Sequence, residues 1–316
     1  MRLNSGNSNG RQGLLRRLIA CLCVLVLAAG GLYVASWYVN RERVRRSSEH
    51  YSQLYRASAS PAPEATRSAS AAPSPEATPA PTDAPLPQAL DVPLSTANAE
   101  TKVFSLPTPP PVQESFSELL AVNPDTVGFL TIDGVVSLPV VQRQNDNEYY
   151  LTHDFSGGEH AEGALFLDGL NRLSPEDDCL IVYGHNMHNG SMFGNLRSFL
   201  NRGFFRSHAL VSFDTLYENH AYVPFAAFNA SMDASSRNAV DIRRFAMDET
   251  EFDDFVALLR ARSEFSVDVD VEYGDTLLLL VTCDYSNSDG RFILALRRVR
   301  DGEDAEALRQ KVRAAQ

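Results

Sequence analysis

Thr276-Leu277-Leu278-Leu279-Leu280-Val281-Thr282-Cys283 is followed by a loop from Asp284 to Gly290 and then by Arg291-Phe292-Ile293-Leu294-Ala295-Leu296. A continuous apolar run of this length, bounded by turn residues, reads as a buried strand. The loop is built from Asp, Ser, Asn and Gly, which favour turns. Two strands joined by so short a loop pair antiparallel. Cys283 then closes one strand and Arg291 opens its neighbour, at one edge of a sheet. A thiol beside a guanidinium suits a nucleophile beside an oxyanion stabiliser. Asp284 and Asp289 lie between them, either as solvated loop acids or with one orienting a neighbour.

A second stretch ends in the same way. Val182-Tyr183-Gly184-His185-Asn186-Met187-His188-Asn189-Gly190-Ser191-Met192-Phe193 carries a buried strand into His185. Asn189-Gly190 is a turn, and Ser191 is placed to cap a helix after it. A histidine on a sheet rim is either a hydrogen-bonded structural residue or a proton carrier. His188 lies in a polar loop and is read as solvated. A nucleophilic cysteine needs a base or counter-cation and an oxyanion site. His185, Cys283 and Arg291 supply those roles from three strand ends, although spacing alone does not bring them together.

Short apolar runs recur between turn signals at 127–132, 135–141, 163–167, 179–183, 210–213, 221–228, 267–271, 276–282 and 291–299. Strands at this density predict a mainly β barrel or sandwich. Two helices interrupt them, one at 191–200 with Phe193, Leu196 and Leu200 on one face. The other covers 248–262, with Phe252, Phe255, Val256 and Leu259 inward and Asp248 with Glu251 as an acidic capping box. A short helix around Phe116, Leu119 and Leu120 opens the domain, and Asn123-Pro124 stops it.

The N-terminal third is of another kind. From Leu18 to Val39 no charge appears in 22 residues. About 20 apolar residues span a bilayer as a helix, and Tyr33, Trp37 and Tyr38 sit at the far end, where interfacial aromatics belong. A cleaved signal peptide is the other reading, but its apolar region is roughly 7–15 residues. Arg2, Arg11, Arg16 and Arg17 precede the span; Arg41, Arg43, Arg45 and Arg46 follow it, so the positive-inside rule gives a tie. Beyond the span, 57–111 is Pro, Ala, Ser and Thr with few large apolar residues, too little to offset ordering entropy. The division is therefore 1–13 before the span, 14–39 transmembrane, 40–112 a disordered stalk and 113–316 a folded domain.

The first 50 residues hold eight Arg and two Glu, so the rest of the −12 chain carries −18. That acidic balance argues against a nucleic-acid partner, which would want a basic patch. Of four cysteines, Cys21 and Cys23 lie in the apolar span and Cys179 opens a buried strand. Neither metal-ligand spacing nor a disulfide framework is visible, and no cofactor is expected.

Taken together, these stretches resemble a class B sortase, a membrane-anchored cysteine transpeptidase of Gram-positive surfaces. Leu280-Val281-Thr282-Cys283 resembles the family's Leu-x-Thr-Cys motif, with Arg291 eight residues on. Tyr183-Gly184-His185-Asn186-Met187 with Gly190-Ser191-Met192-Phe193 is similar to its histidine block. Further counterparts are 123–129, 139–142, 149–155 and 163–168, so the resemblance covers about 115–300. Val281 stands where many members have Ser, and Phe129 where Trp is common.

The resemblance implies a closed eight-stranded barrel with an N-terminal helix and a helix inserted between strands six and seven. It implies a cytoplasmic N-terminus and an extracellular domain at the cell membrane. It implies catalysis by His185, Cys283 and Arg291, with Thr282, Asn186 and Ser191 as candidate substrate-binding residues. The expected partners are secreted proteins with a C-terminal sorting signal, cut after Thr, and a peptidoglycan cross-bridge amine. Joining pilins through a lysine amine, releasing peptides to water, and a catalytically silent tethered scaffold are the alternatives.

Overall fold

The computed structural model describes residues 8–59, 109–231, 233, 235–283 and 290–316. The loop acids Asp284 and Asp289, and the expected stalk over 60–108, lie outside the described residues.

Eight strands close into a barrel: β1 (Thr126–Ile132), β2 (Val136–Val141), β3 (Leu165–Leu167), β4 (Cys179–His185), β5 (Val211–Thr215), β6 (Asn219–Ser231), β7 (Leu277–Cys283) and β8 (Gly290–Arg298). Around the barrel the order is β1-β2-β3-β4-β7-β8-β6-β5. The expected antiparallel pair of 276–282 with 291–299 is β7 with β8, in the register Leu277↔Arg297 to Val281↔Ile293. β4 and β7 pair in parallel over seven residues. Parallel strands are covered on both faces and read as continuous apolar runs rather than alternation. These two strands carry the two runs that stood out in the sequence, and from Leu277 to Thr282 every residue is buried.

Helices decorate the barrel. α1 (Ser8–Ala59) precedes it, and α2 (Ser117–Val122) opens the domain, ending at Asn123 as expected. α3 (Tyr149–Thr152) is a single turn, and α4 (Arg202–Ser207) is capped by Asn201, whose side chain accepts from the N–H groups of Gly203 and Phe204. α5 (Glu249–Arg262) lies between β6 and β7 with the capping box of Asp248 and Glu251 complete. α6 (Ala305–Arg313), unforeseen in the sequence, buries only Leu308 and Val312.

Three expectations change. The run at 267–271 alternates as a strand should, with Val267 and Val269 buried, yet it is not in the sheet. Its carbonyls are taken by arginines instead: Arg260 donates to Val267 O at 3.1 Å and to Val269 O, and Arg297 Nε donates to Asp270 O at 3.1 Å. Alternation reports a half-buried extended chain, not the identity of its hydrogen-bond partner.

The helix expected at 191–200 is only a 3-10 turn, Leu196–Leu200. Gly190 and Met192 both have left-handed φ, +82° and +48°. Two such residues within three positions cannot continue a right-handed helix. Ser191 caps nothing; its hydroxyl donates to Asn189 Oδ1 at 2.7 Å.

The expected stalk from 40 to 112 begins as helix, because α1 continues to Ala59. Glu42 pairs with Arg45 and Arg46 at helical spacing, 2.9 and 3.0 Å. Tyr51, Leu54 and Tyr55 then pack on a cluster built around Phe116, Phe129, Tyr150 and Phe155. One helix is long and apolar enough among the described residues to cross a membrane, with its span at Ile19–Ser36.

Candidate active site

β4 and β7 run side by side in the same direction, so their C-terminal ends meet at one rim. His185 and Cys283 are direct register partners there, as Gly184 and Thr282 are one step before. β8 is the next strand round, and Arg291 stands at its start, opposite Ala230 of β6. The β7–β8 register runs as far as Val281↔Ile293, two residues short of Cys283 on one strand and of Arg291 on the other. Three residues separated by up to 106 positions thus share one edge, on three adjacent strands. Arg291 is half-buried, and its Nη1 donates to Gly290 O at 3.1 Å.

His185 is 9% exposed, and its Nε2 lies 2.7 Å from Leu151 O. A carbonyl oxygen only accepts, so Nε2 is the nitrogen that carries the proton in this contact. Leu151 belongs to α3, and a one-turn helix satisfies none of its last carbonyls internally. They are used in turn: Tyr150 O accepts from Ala164 N at 2.9 Å, Leu151 O from His185, and Thr152 O from His160 N at 2.8 Å. Tyr150 anchors the turn from below. Its hydroxyl donates to Asp125 Oδ2 at 2.8 Å and accepts from Asn123 Nδ2 at 3.0 Å. Burial pushes the Tyr150 phenol up to about 12.

Gly163 makes this close approach possible. Its φ is +60°, and a Cβ there would sit 2.3 Å from Tyr150 O. Gly163→Ala is therefore expected to lower stability by about 2 kcal/mol or more, through backbone strain and displacement of α3. The urea midpoint of the purified chain checks this; an unchanged midpoint would refute the crowding.

The remaining candidates have structural tasks beside the rim. Thr282 Oγ1 accepts from Phe292 N at 2.9 Å and ties β7 to β8 where the ladder ends. Asn186 is half-buried and bridges Met192. Ser191 is buried and bonded to Asn189, whose Nδ2 donates to Glu162 Oε1 at 2.8 Å. His188 is exposed. Cys179 is fully buried, and burial drives its thiol pKa upward, as fits an inert strand residue. The role of α3 was missed in the sequence. Only the cluster Asn145 to His153 hints at a turn there, and no periodicity marks a four-residue helix.

Sortase B of Listeria monocytogenes is 32% identical over 174 residues, 55% of this chain and 68% of the Listeria protein. The chain belongs to the class B sortases. The solved structure of Bacillus anthracis sortase B is 30% identical with a TM-score of 0.54, covering 60% of this chain and 85% of that one. Staphylococcus aureus sortase B, solved as a substrate complex, is 26% identical with a TM-score of 0.54, covering 61% and 88%. No protein-family model matches the chain. This class B sortase is a cysteine transpeptidase, and its eight-stranded barrel with added helices is the architecture of those relatives.

Proposed function

We propose that this sortase cleaves a C-terminal sorting signal after Thr and passes the new carboxyl end to a cell-wall amine, with Cys283, His185 and Arg291 as its reacting groups. The observation that carries this is the register pairing of His185 with Cys283 at the ends of two parallel strands. The Cys283 thiol gives its proton to His185, and its sulfur attacks the Thr carbonyl carbon. Arg291 donates to the developing oxyanion with a planar, permanently charged fork. The C–N bond breaks, and His185 delivers its Nδ1 proton to the leaving amine. A thioester remains on Cys283. The incoming amine gives its proton to His185 and attacks the thioester, and the thiolate leaves. One amide is exchanged for another, so no ATP is consumed. A pilin lysine could accept by the same chemistry.

On this reading the N-terminus of α1 is cytoplasmic and the barrel extracellular, where signal-bearing secreted proteins are. Thr282, Asn186 and Ser191 act on substrate only through the shape they give the rim.

The test uses the full chain in detergent micelles with a pool of Thr-containing sorting peptides, read by intact-mass spectrometry. An acyl adduct on wild type, discharged faster by an added amine, is the expected result. Discharge to water alone, at the same rate with the amine present, would replace transfer by hydrolysis.

A further inference from the structure

The juxtamembrane end of α1 has no part in the reaction as written above, yet it is bonded to the barrel at several points. Ser48 Oγ donates to Ser137 O at 2.8 Å, and the hydroxyls of Ser52 and Ser137 are 2.9 Å apart. Tyr55 donates to Asp214 Oδ2 at 2.8 Å, and its ring stacks on Phe129 at 4.6 Å and 5°. Burial, then the Asp214 carboxylate, drives the Tyr55 phenol upward and keeps it a donor. Tyr51 meets Phe155 edge-on at 4.9 Å.

The cluster receiving these side chains also holds α3. Tyr51, Leu54 and Tyr55 pack on the buried group that includes Phe129, Tyr150 and Phe155, and Leu151 packs on the same group. Asn123 Nδ2 links two of its members, donating to Tyr150 OH at 3.0 Å and Phe155 O at 2.8 Å. Tyr150 precedes the residue whose carbonyl holds His185. Ser47 and Tyr51 also form one wall of a cavity of about 230 Å3, whose other walls include Leu165 and Met192 beside the rim. From Ser36, the end of the apolar span, to Ser48 is twelve residues of unbroken helix, about 18 Å at 1.5 Å per residue.

We infer that residues 47–55 of α1 are a positioning element for His185: the membrane anchor itself, docked on the barrel, supports the α3 turn whose Leu151 carbonyl fixes the imidazole. Tyr51 and Tyr55 are positioning residues, not catalytic ones. This inference rests on the role proposed for His185. Loosening the turn lets the imidazole reorient without altering the peptide's binding surface, so the loss falls on kcat and spares KM.

Transpeptidation is measured for the full chain in detergent micelles, across pH, with an optimal signal peptide and amine. Tyr51→Ala combined with Tyr55→Ala is expected to lower kcat about tenfold, leave KM within twofold and shift the pH profile of kcat. Tyr55→Phe with Ser52→Ala keeps the rings and removes two polar contacts, so it guards against a misfolded double variant. It is expected to lose two- to threefold in kcat, with faster amide exchange over 47–55. Gln53→Ala, on the exposed face, should match wild type. His185→Ala is the reference. If it is inactive while both sets of α1 variants keep wild-type kcat and pH profile, the inference is overturned and the role of His185 stands. If His185→Ala is itself active, the site reading fails and takes this inference with it.

Discussion

Cys283→Ala is expected to form no acyl adduct and to show no transpeptidation above the level of buffer. The proposed route passes through a thioester, and the replacement removes the only atom on which it can form. The structural cost of the change is small. The backbone of Cys283 ends β7 in register with His185, and the seven-residue β4–β7 pairing remains. Loss of activity with an unchanged melting temperature would therefore report chemistry. Among the other thiols, Cys179 is fully buried in β4, and Cys21 and Cys23 lie in the apolar span. None reaches the rim. An adduct that persists in Cys283→Ala would overturn the assignment of the nucleophile.

Arg291→Lys is expected to lower kcat/KM by about 100- to 1000-fold, the usual cost of losing an oxyanion donor. Charge is conserved in this replacement, so a purely electrostatic role would leave much of the rate. The ammonium is a compact point charge on a flexible stem and cannot present two parallel N–H groups to one oxygen. Arg291 sits at the mouth of β8, held opposite Ala230 by the strand pairing, so its head is aimed from a fixed base. Steady-state rates with a saturating amine, alongside the Cys283 alkylation rate, separate the two roles. Near-normal turnover by Arg291→Lys would remove the bidentate role, and a lost alkylation rate would move Arg291 from the oxyanion to the thiol.

Much of the barrel was legible because two parallel strands buried on both faces leave continuous apolar runs, which β4 and β7 do. The helix α5 was legible for a local reason: a capping box and four inward side chains at helical spacing are all short-range. Where the partner is distant, the pattern misled. Residues 267–271 alternate like a strand but give their carbonyls to Arg260 and Arg297. The segment 191–200 has a helical face, but left-handed φ at Gly190, just before it, and at Met192, within it, breaks its start. The one-turn α3 is too short for any period to appear, although His185 leans on it.

From the sequence alone came the apolar span, the acidic domain beyond it, the strand-rich architecture and the resemblance that singled out His185, Cys283 and Arg291. Each of these depends on composition or near-neighbour order. The tertiary structure decided that the two loudest strands lie side by side and parallel, so that His185 and Cys283 are register partners at one rim. It also decided that α1 does not end with its apolar span but continues onto the barrel and packs beneath the turn that holds His185. Such contacts join residues about a hundred positions apart, and burial of aromatic surface between them, not local propensity, is what brings them together.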